Sequence, residues 1–272
     1  MSGRARQVSQ PVFVRSIGDG ARRVLALHCT LAHSGAWRGL AAGLSDATFV
    51  APDMLSHGRS PDWDGLGDFQ DRSAAAVAHL LEPGMDLIGH SFGATVALRL
   101  AVAHPERVRS LTLIEPVFFA VAIQDAPDLL AQHDADAGPF AEALRAGDAA
   151  LGARLFNRMW SHGGPRWPDL PDPLRAAMTR AIHVVPACRD AIYDDLAGML
   201  APGVLDRLQI PSLLLRGSET HAVIGAVNDG LAQRLPDADN VVIDGAGHML
   251  PISHPGETAV ALQALFARSP VL

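Results

Sequence analysis

The chain has 272 residues, of which 49% are hydrophobic, 5% aromatic and 19% charged, and its formal net charge is −7. This composition is too apolar for a disordered chain and is normal for a globular enzyme with a large core. Because acidic residues outnumber basic ones and no basic stripe is interleaved with aromatic residues, nucleic-acid binding is not expected.

The chain contains no lysine, because all 22 of its basic residues are arginine. This absence excludes the Schiff-base lysine of pyridoxal-phosphate enzymes, the P-loop lysine and the Ser-x-x-Lys dyad. The two cysteines, Cys29 and Cys188, form neither a disulfide framework nor a CxxC metal site. The histidines have no metal-type spacing, and no GxGxxG follows a predicted strand. We therefore expect neither a metal nor another cofactor.

The first residues, MSGRARQVSQPVFV, are basic but lack the apolar segment and the cleavage site of a signal peptide. The sequence also has no run of 18 apolar residues that could span a membrane. We expect a cytoplasmic globular protein that acts on a small molecule and does not bind membranes. The oligomeric state stays open.

Short apolar runs alternate with helical patterns along the first part of the chain. Strands are predicted at residues 24–28, 49–54, 85–91 and 108–116, and helices at 34–44, 68–82 and 92–103. Residues 120–202 indicate helices only. The alternation then returns, with strands at 210–217 and 240–244 and helices at 224–235 and 256–267. This order predicts an α/β fold in which residues 1–119 and 203–272 form a mostly parallel, doubly wound sheet and residues 120–202 form a helical lid.

One glycine-rich turn has the pattern of a catalytic nucleophile. Gly89-His90-Ser91-Phe92-Gly93 matches Gly-x-Ser-x-Gly and lies between a predicted strand and a helix of small residues. The turn needs both glycines, because Cβ atoms there would collide with neighbouring backbone. The strained turn holds the serine hydroxyl at the positive end of the helix. This context predicts Ser91 as a nucleophile; the alternative is an ordinary turn with a solvated serine.

Four stretches of the chain resemble the α/β-hydrolase fold family: LHCTLAHSGAW, DMLSHGRS, GHSFG and GAGHMLPISHP. The resemblance covers most of residues 10–268 apart from the lid, and it implies a sheet of the α/β-hydrolase type. It also implies an oxyanion hole formed by the backbone N–H groups of Thr30 and Phe92. Cys29 stands where the family usually has glycine, and we interpret it as a packing residue rather than a second nucleophile. The DMLSHGRS turn is interpreted as structural.

The resemblance also identifies the general base as His248, which lies in the family's terminal histidine loop. The family most often places the acid after the strand that ends at Gly217, where Glu219 is found. A second family pattern, that of haloalkane dehalogenases, places it at the end of the preceding strand, where Glu115 closes an apolar run. Because a buried carboxylate needs a partner such as an imidazolium, we favour Glu115 and keep Glu219 as the alternative. If Glu115 has no catalytic role, we expect it to accept hydrogen bonds from the backbone amides of a loop. If Glu219 has none, we expect it to be a solvent-exposed loop residue.

The lid is expected to contribute side chains to a mostly apolar substrate pocket. The candidates are Phe118, Phe119, Met159, Trp160, His162 and Trp167. Since dehalogenases and epoxide hydrolases need an aspartate nucleophile, Ser91 favours acyl transfer. We expect a carboxylesterase-like serine hydrolase that cleaves a small or medium ester through an acyl-enzyme. Lactonase, thioesterase, amidase and C–C bond hydrolase activities stay open, and a slow or non-catalytic small-ligand receptor is the competing class.

Overall fold

The computed structural model describes residues 11–161 and 163–271. In this part of the chain seven strands form one sheet: β1 Val14–Ile17, β2 Arg22–Leu27, β3 Ala47–Pro52, β4 Met85–His90, β5 Val108–Ile114, β6 Ser212–Gly217 and β7 Ala238–Ile243. The strand order is β1-β3-β2-β4-β5-β6-β7. β1 pairs antiparallel with β3, and all the other pairs are parallel. The predicted mostly parallel sheet is thus confirmed.

Every strand predicted from the sequence is present, with its ends shifted by a few residues. β4 lies in the middle of the sheet and all six of its residues are buried, which explains its continuous apolar pattern. β1 was not predicted. It has only four residues, mostly half-buried, at the edge of the sheet, so its sequence carries too little periodicity to indicate a strand.

The described residues form twelve α-helices. They are α1 Arg38–Ala42, α2 Phe69–Val77, α3 Phe92–Ala103, α4 Phe119–Asp125, α5 Pro127–Arg145, α6 Ala149–Trp160, α7 Asp172–Ala181, α8 Val184–Ala187, α9 Arg189–Tyr193, α10 Ala222–Arg234, α11 Leu250–Ser253 and α12 Pro255–Arg268. Short 3₁₀ turns lie at Ser34–Trp37, Ala78–Leu80, Pro105–Arg107, Trp167–Asp169 and Leu205–Arg207. None of these helices is long and apolar enough to cross a membrane.

Helices cover both faces of the sheet. α2, α3 and α10 pack on one face, where Leu87 of β4 belongs to the larger apolar cluster. α1 and α12 pack on the other face, where Ile88 belongs to a second cluster together with Trp37 and Leu262. Successive residues of β4 thus point into opposite layers, as expected for a doubly wound sheet.

All the α-helices between β5 and β6, α4 to α9, lie in one continuous segment, and its described residues contain no strand. We keep the name lid for residues 120–202. A small apolar cluster joins Ala153, Met178 and Ile182 of this segment to Leu31, which lies in the loop after β2. The segment therefore packs directly against the loop that carries Thr30.

Candidate active site

Ser91 lies in a sharp turn between β4 and α3. Its backbone has φ 57° and ψ −119°, a region that residues with a side chain rarely adopt. A Cβ on Gly89 would lie 2.3 Å from Gly93 O, and a Cβ on Gly93 would lie 2.3 Å from Leu27 O. Both glycines are therefore required by the close approach of backbone. The turn places Ser91 at the N-terminus of α3 and in the wall of a large cavity.

The carboxylate of Glu115 contacts the imidazole of His248. Glu115 Oε2 lies 2.9 Å from His248 Nδ1, and both side chains are buried. This is the contact expected if Glu115 is the partner of His248. The carboxylate holds the proton of a neutral imidazole on Nδ1 and leaves the Nε2 lone pair free to accept another. Glu115 has φ 51°, so the chain turns sharply where β5 ends.

Two further donors hold the Glu115 carboxylate. Gly217 N donates to Oε1 at 2.6 Å, and Thr220 Oγ1 donates to Oε2 at 2.5 Å. Hydrogen bonds of this kind compensate for the burial of a charge. The alternative acid, Glu219, is exposed instead, and its Oε1 accepts from Ser218 Oγ at 3.4 Å. The structure therefore does not bring Glu219 to His248, because the loop after β6 turns its side chain toward solvent.

His248 is held beside the turn of Ser91 by His90, the residue that precedes the serine. His90 Nε2 lies 2.8 Å from His248 O, and the two rings are 5.2 Å apart. Burial, with a smaller contribution from His248, lowers the pKa of His90 to about 3. His90 is therefore neutral at pH 7 and donates its Nε2 proton to the carbonyl. On the other side, the ring of Trp160 lies 4.3 Å from that of His248 and covers it.

Thr30 and Phe92 line the same cavity as Ser91. Phe92 is the first residue of α3, and the first N–H groups of a helix have no intrahelical acceptor. Cys29, next to Thr30, is only 3% exposed, and burial raises the pKa of its thiol to about 12. The thiol is therefore protonated and enclosed, as expected for a packing residue.

Two buried histidines brace the loop that carries Thr30. His28 Nε2 accepts from Met54 N at 2.9 Å, and His57 Nε2 accepts from Leu31 N at 3.0 Å. Burial is the main cause that lowers the pKa of His28 to about 4 and that of His57 to about 3. Both rings are therefore neutral acceptors at pH 7, and they fix the loop from either side.

The DMLSHGRS turn is held by hydrogen bonds to Asp53, both from within the turn and from Ser34. Asp53 accepts from Ser34 N at 2.6 Å and from Arg59 N at 2.8 Å, and Ser60 Oγ donates to Asp53 O at 2.5 Å. Ser56 has φ 67°, so the chain turns sharply within this segment. These contacts agree with a structural role for the turn.

The cavity at Ser91 has a volume of about 660 Å³. Of the six pocket residues predicted from the sequence, Phe119 and Trp160 line it. Phe118 does not, because its ring is completely buried in the larger core cluster. Met159 faces a second, smaller cavity, and Trp167 packs on the small cluster around Ile182. His162 lies outside the described residues.

Sequence reasoning missed several lining residues of the lid: His133, Phe140, Phe156, Ile192 and Tyr193. One signal was available for Phe156, which precedes Trp160 by one helical turn and therefore shares its face of α6. Among the described residues, no group of three or more His, Cys, Asp or Glu side chains is arranged to hold a metal ion.

A family model for the alpha/beta hydrolase fold matches residues 22–255. The chain belongs to this family. As an α/β hydrolase it is 29% identical to the lipase LipV of Mycobacterium tuberculosis, over 90% of this chain and 94% of that one. It is 28% identical to the pimeloyl-[acyl-carrier protein] methyl ester esterase of Nitrosomonas europaea, over 93% and 99%. The crystal structure of MGS-M2, an α/β hydrolase from a deep-sea metagenome library, has the same fold, with a TM-score of 0.73, 15% identity and 96% of each chain covered.

Proposed function

We propose that this α/β hydrolase is a serine esterase that cleaves small or medium esters through an acyl-enzyme. The observation that carries the proposal is the buried pair of Glu115 and His248, held by His90 against the turn that carries Ser91. A nucleophile, a base and an acid in this relation form the arrangement that acyl transfer by a serine requires. Both named relatives are ester hydrolases, which supports this class.

In the first half of the reaction, His248 Nε2 takes the proton of Ser91 Oγ while Oγ bonds to the ester carbonyl carbon. The carbonyl oxygen becomes an oxyanion, which accepts hydrogen bonds from the N–H groups of Thr30 and Phe92. Each such donor is worth about 3 kcal/mol of transition-state stabilisation. The imidazolium is stabilised by Glu115 and then gives its proton to the departing alcohol, so the C–O bond breaks and the acyl-enzyme remains.

In the second half, His248 takes a proton from water while the water oxygen attacks the acyl carbon. The same two amides hold the second oxyanion, and the proton returns to Ser91 Oγ as the acid leaves. Trp160 covers the ring of His248 and limits the access of bulk water to it. We propose that residues 120–202 act as the lid of this site, because Phe119, Trp160 and other residues of α4 to α9 line the cavity.

The experiment combines a serine-directed fluorophosphonate probe with a panel of p-nitrophenyl esters of increasing chain length. We expect the probe to label the wild type and the esters to be hydrolysed. Ser91→Ala should lose both labelling and turnover while keeping its melting temperature. Ser253→Ala, which removes an exposed serine, is the matched control and should keep both. A wild-type protein that neither reacts with the probe nor hydrolyses the esters would favour the receptor-like alternative.

A further inference from the structure

The lid places His133 of α5 in the wall of the cavity that contains Ser91, together with the polar lining residues Asp134, Arg145, Arg189 and Tyr193. The residue is 6% exposed, and its Nδ1 is enclosed without a hydrogen-bond partner among the described residues. Three rings surround it, with centroid distances of 4.8 Å to Phe119, 5.4 Å to Trp160 and 5.8 Å to His221. The imidazole of His133 is thus surrounded by aromatic rings at the edge of the cavity that contains Ser91.

No step of the proposed reaction requires His133, since His248 serves as the base. Burial, followed by the repulsion of His221, lowers the pKa of His133 to about 4, so the ring is neutral at pH 7 and does not stabilise a charge. Packing does not require it either, because a phenylalanine would fill a similar volume and leave no polar atom unpaired. Buried polar side chains without a hydrogen-bond partner are rare, so the presence of an imidazole at this position calls for an explanation.

His133 is also close to the reacting groups. The ring of Trp160 is a neighbour of both histidines, with centroid distances of 5.4 Å to His133 and 4.3 Å to His248. An ester whose carbonyl is held at Ser91 and which extends into the lid side of the cavity would therefore pass His133 within a few carbon atoms of the scissile bond. Other polar residues line the cavity, but the rings of Phe119 and Trp160 flank His133 itself, so its imidazole is a hydrogen-bonding group with aromatic neighbours.

We propose that His133 is a specificity-determining residue that binds an oxygen function, a carbonyl or a hydroxyl, on the chain of the ester substrate. The inference rests on the proposed esterase function and narrows its substrate class to oxygenated esters. A neutral imidazole has one N–H donor and one acceptor nitrogen. Because Nδ1 is enclosed, Nε2 is the nitrogen that meets the substrate, either donating to a carbonyl oxygen or accepting from a hydroxyl.

The test measures kcat/KM for methyl hexanoate and for its 4-oxo, 5-oxo and 6-hydroxy derivatives. We expect at least one oxygenated ester to exceed methyl hexanoate by about tenfold, the effect of one well-placed hydrogen bond. His133→Phe should abolish this preference, so that the ratio of kcat/KM for the oxygenated ester to kcat/KM for methyl hexanoate falls to about one. The derivative that is preferred identifies a carbonyl or a hydroxyl as the group that is bound.

Two variants keep the result interpretable. His133→Gln places an amide nitrogen and oxygen near Nε2 and should retain part of the preference, even if the phenylalanine variant does not fold. His183→Phe removes an exposed lid histidine outside the cavity and should leave the preference unchanged. A wild type that hydrolyses all four esters without preferring an oxygenated one, or a His133→Phe variant that keeps the preference, overturns this inference alone. A wild type that hydrolyses none of them overturns the proposed function and this inference with it.

Discussion

Thr220 Oγ1 lies 2.5 Å from Glu115 Oε2, the same oxygen that contacts His248 Nδ1 at 2.9 Å. Thr220 follows β6, whereas Glu115 follows β5, so residues after two neighbouring strands meet at one buried carboxylate. Gly217 N, at the end of β6, donates to the other carboxylate oxygen. The loop after β6 thus brings no carboxylate of its own to His248 and instead holds the carboxylate of Glu115. We infer that Thr220 is a positioning residue.

Removal of this hydroxyl should affect catalysis more than binding. Thr220→Ala leaves the carboxylate with one donor fewer, and a hydrogen bond to a charged group is worth about 1.5–3 kcal/mol. We expect kcat for p-nitrophenyl butyrate to fall by about tenfold or more, with KM little changed. Thr220→Ser restores the donor and should recover most of the rate. A serine variant as slow as the alanine variant would instead point to a role of the methyl group in packing.

The acid itself is tested by a change that keeps its shape. Glu115→Gln preserves volume but removes the negative charge opposite the imidazolium, and analogous changes in serine triads lower kcat by about 10⁴-fold. We expect a loss of up to this size in steady-state assays. Glu219→Gln is the matched control and should stay close to wild type, because Glu219 is exposed. Comparable losses in both variants would reject the assignment of Glu115.

The buried histidines predict how stability depends on pH. His28, His57 and His90 have pKa values of about 4, 3 and 3, against 6.5 for an ordinary histidine, because burial disfavours their charged forms. The unfolded chain therefore binds more protons than the folded one below about pH 6.5. The contribution of these histidines to the free energy of unfolding is therefore fully present above about pH 6.5. It is lost as the pH falls toward 4, by up to about 1.4 kcal/mol per pH unit for each group.

Urea unfolding followed by circular dichroism at pH 7, 6, 5 and 4 checks this expectation. The midpoint should decrease steadily below about pH 6.5. His57→Gln removes one of the buried titrating groups and should make the decrease less steep, whereas His79→Gln, which removes an exposed histidine, should not. Midpoints that stay constant from pH 7 to 4 would contradict the neutral state of these rings.

The lid side of the cavity should set the preferred chain length. Phe156 lines the cavity and packs against Phe140, with ring centroids 5.5 Å apart. Phe156→Ala enlarges this space, so kcat/KM for a decanoate ester should rise relative to that for acetate, by about tenfold if a few methylene groups gain contact. Trp167→Ala alters a lid aromatic outside the cavity and should leave the ratio unchanged. Equal ratios in the wild type and in Phe156→Ala would mean that the chain binds elsewhere.

The sequence was most informative about the site at positions where the local backbone admits only certain residue types. Ser91 could be identified because its turn admits only glycine at positions 89 and 93, and the steric reason is local. Glu115 could be identified because a carboxylate at the end of an apolar strand needs a partner. The strands of the core were predictable for a similar reason, since burial on both faces produces continuous apolar runs.

The lid could not be predicted to the same degree. Phe118 and Phe119 are adjacent and equally apolar, yet one ring is buried in the core and the other lines the cavity. Which of them faces the substrate depends on how α4 is rotated against its neighbours, and composition does not encode that rotation. His133 and Thr220 were missed because their roles come from contacts with residues far away in the chain.

Both cysteines are enclosed, and Cys29 in particular holds a thiol that is fully protonated at neutral pH. Because the chain also contains no lysine, its side chains offer no amine and no accessible thiolate to electrophilic dyes. A single cysteine introduced at the exposed Leu151 of α6 would then be the one site that a maleimide fluorophore modifies. Wild-type protein is already the unreactive background for such labelling, so the surroundings of α6 can be monitored by fluorescence in the presence of an ester without first removing any native residue.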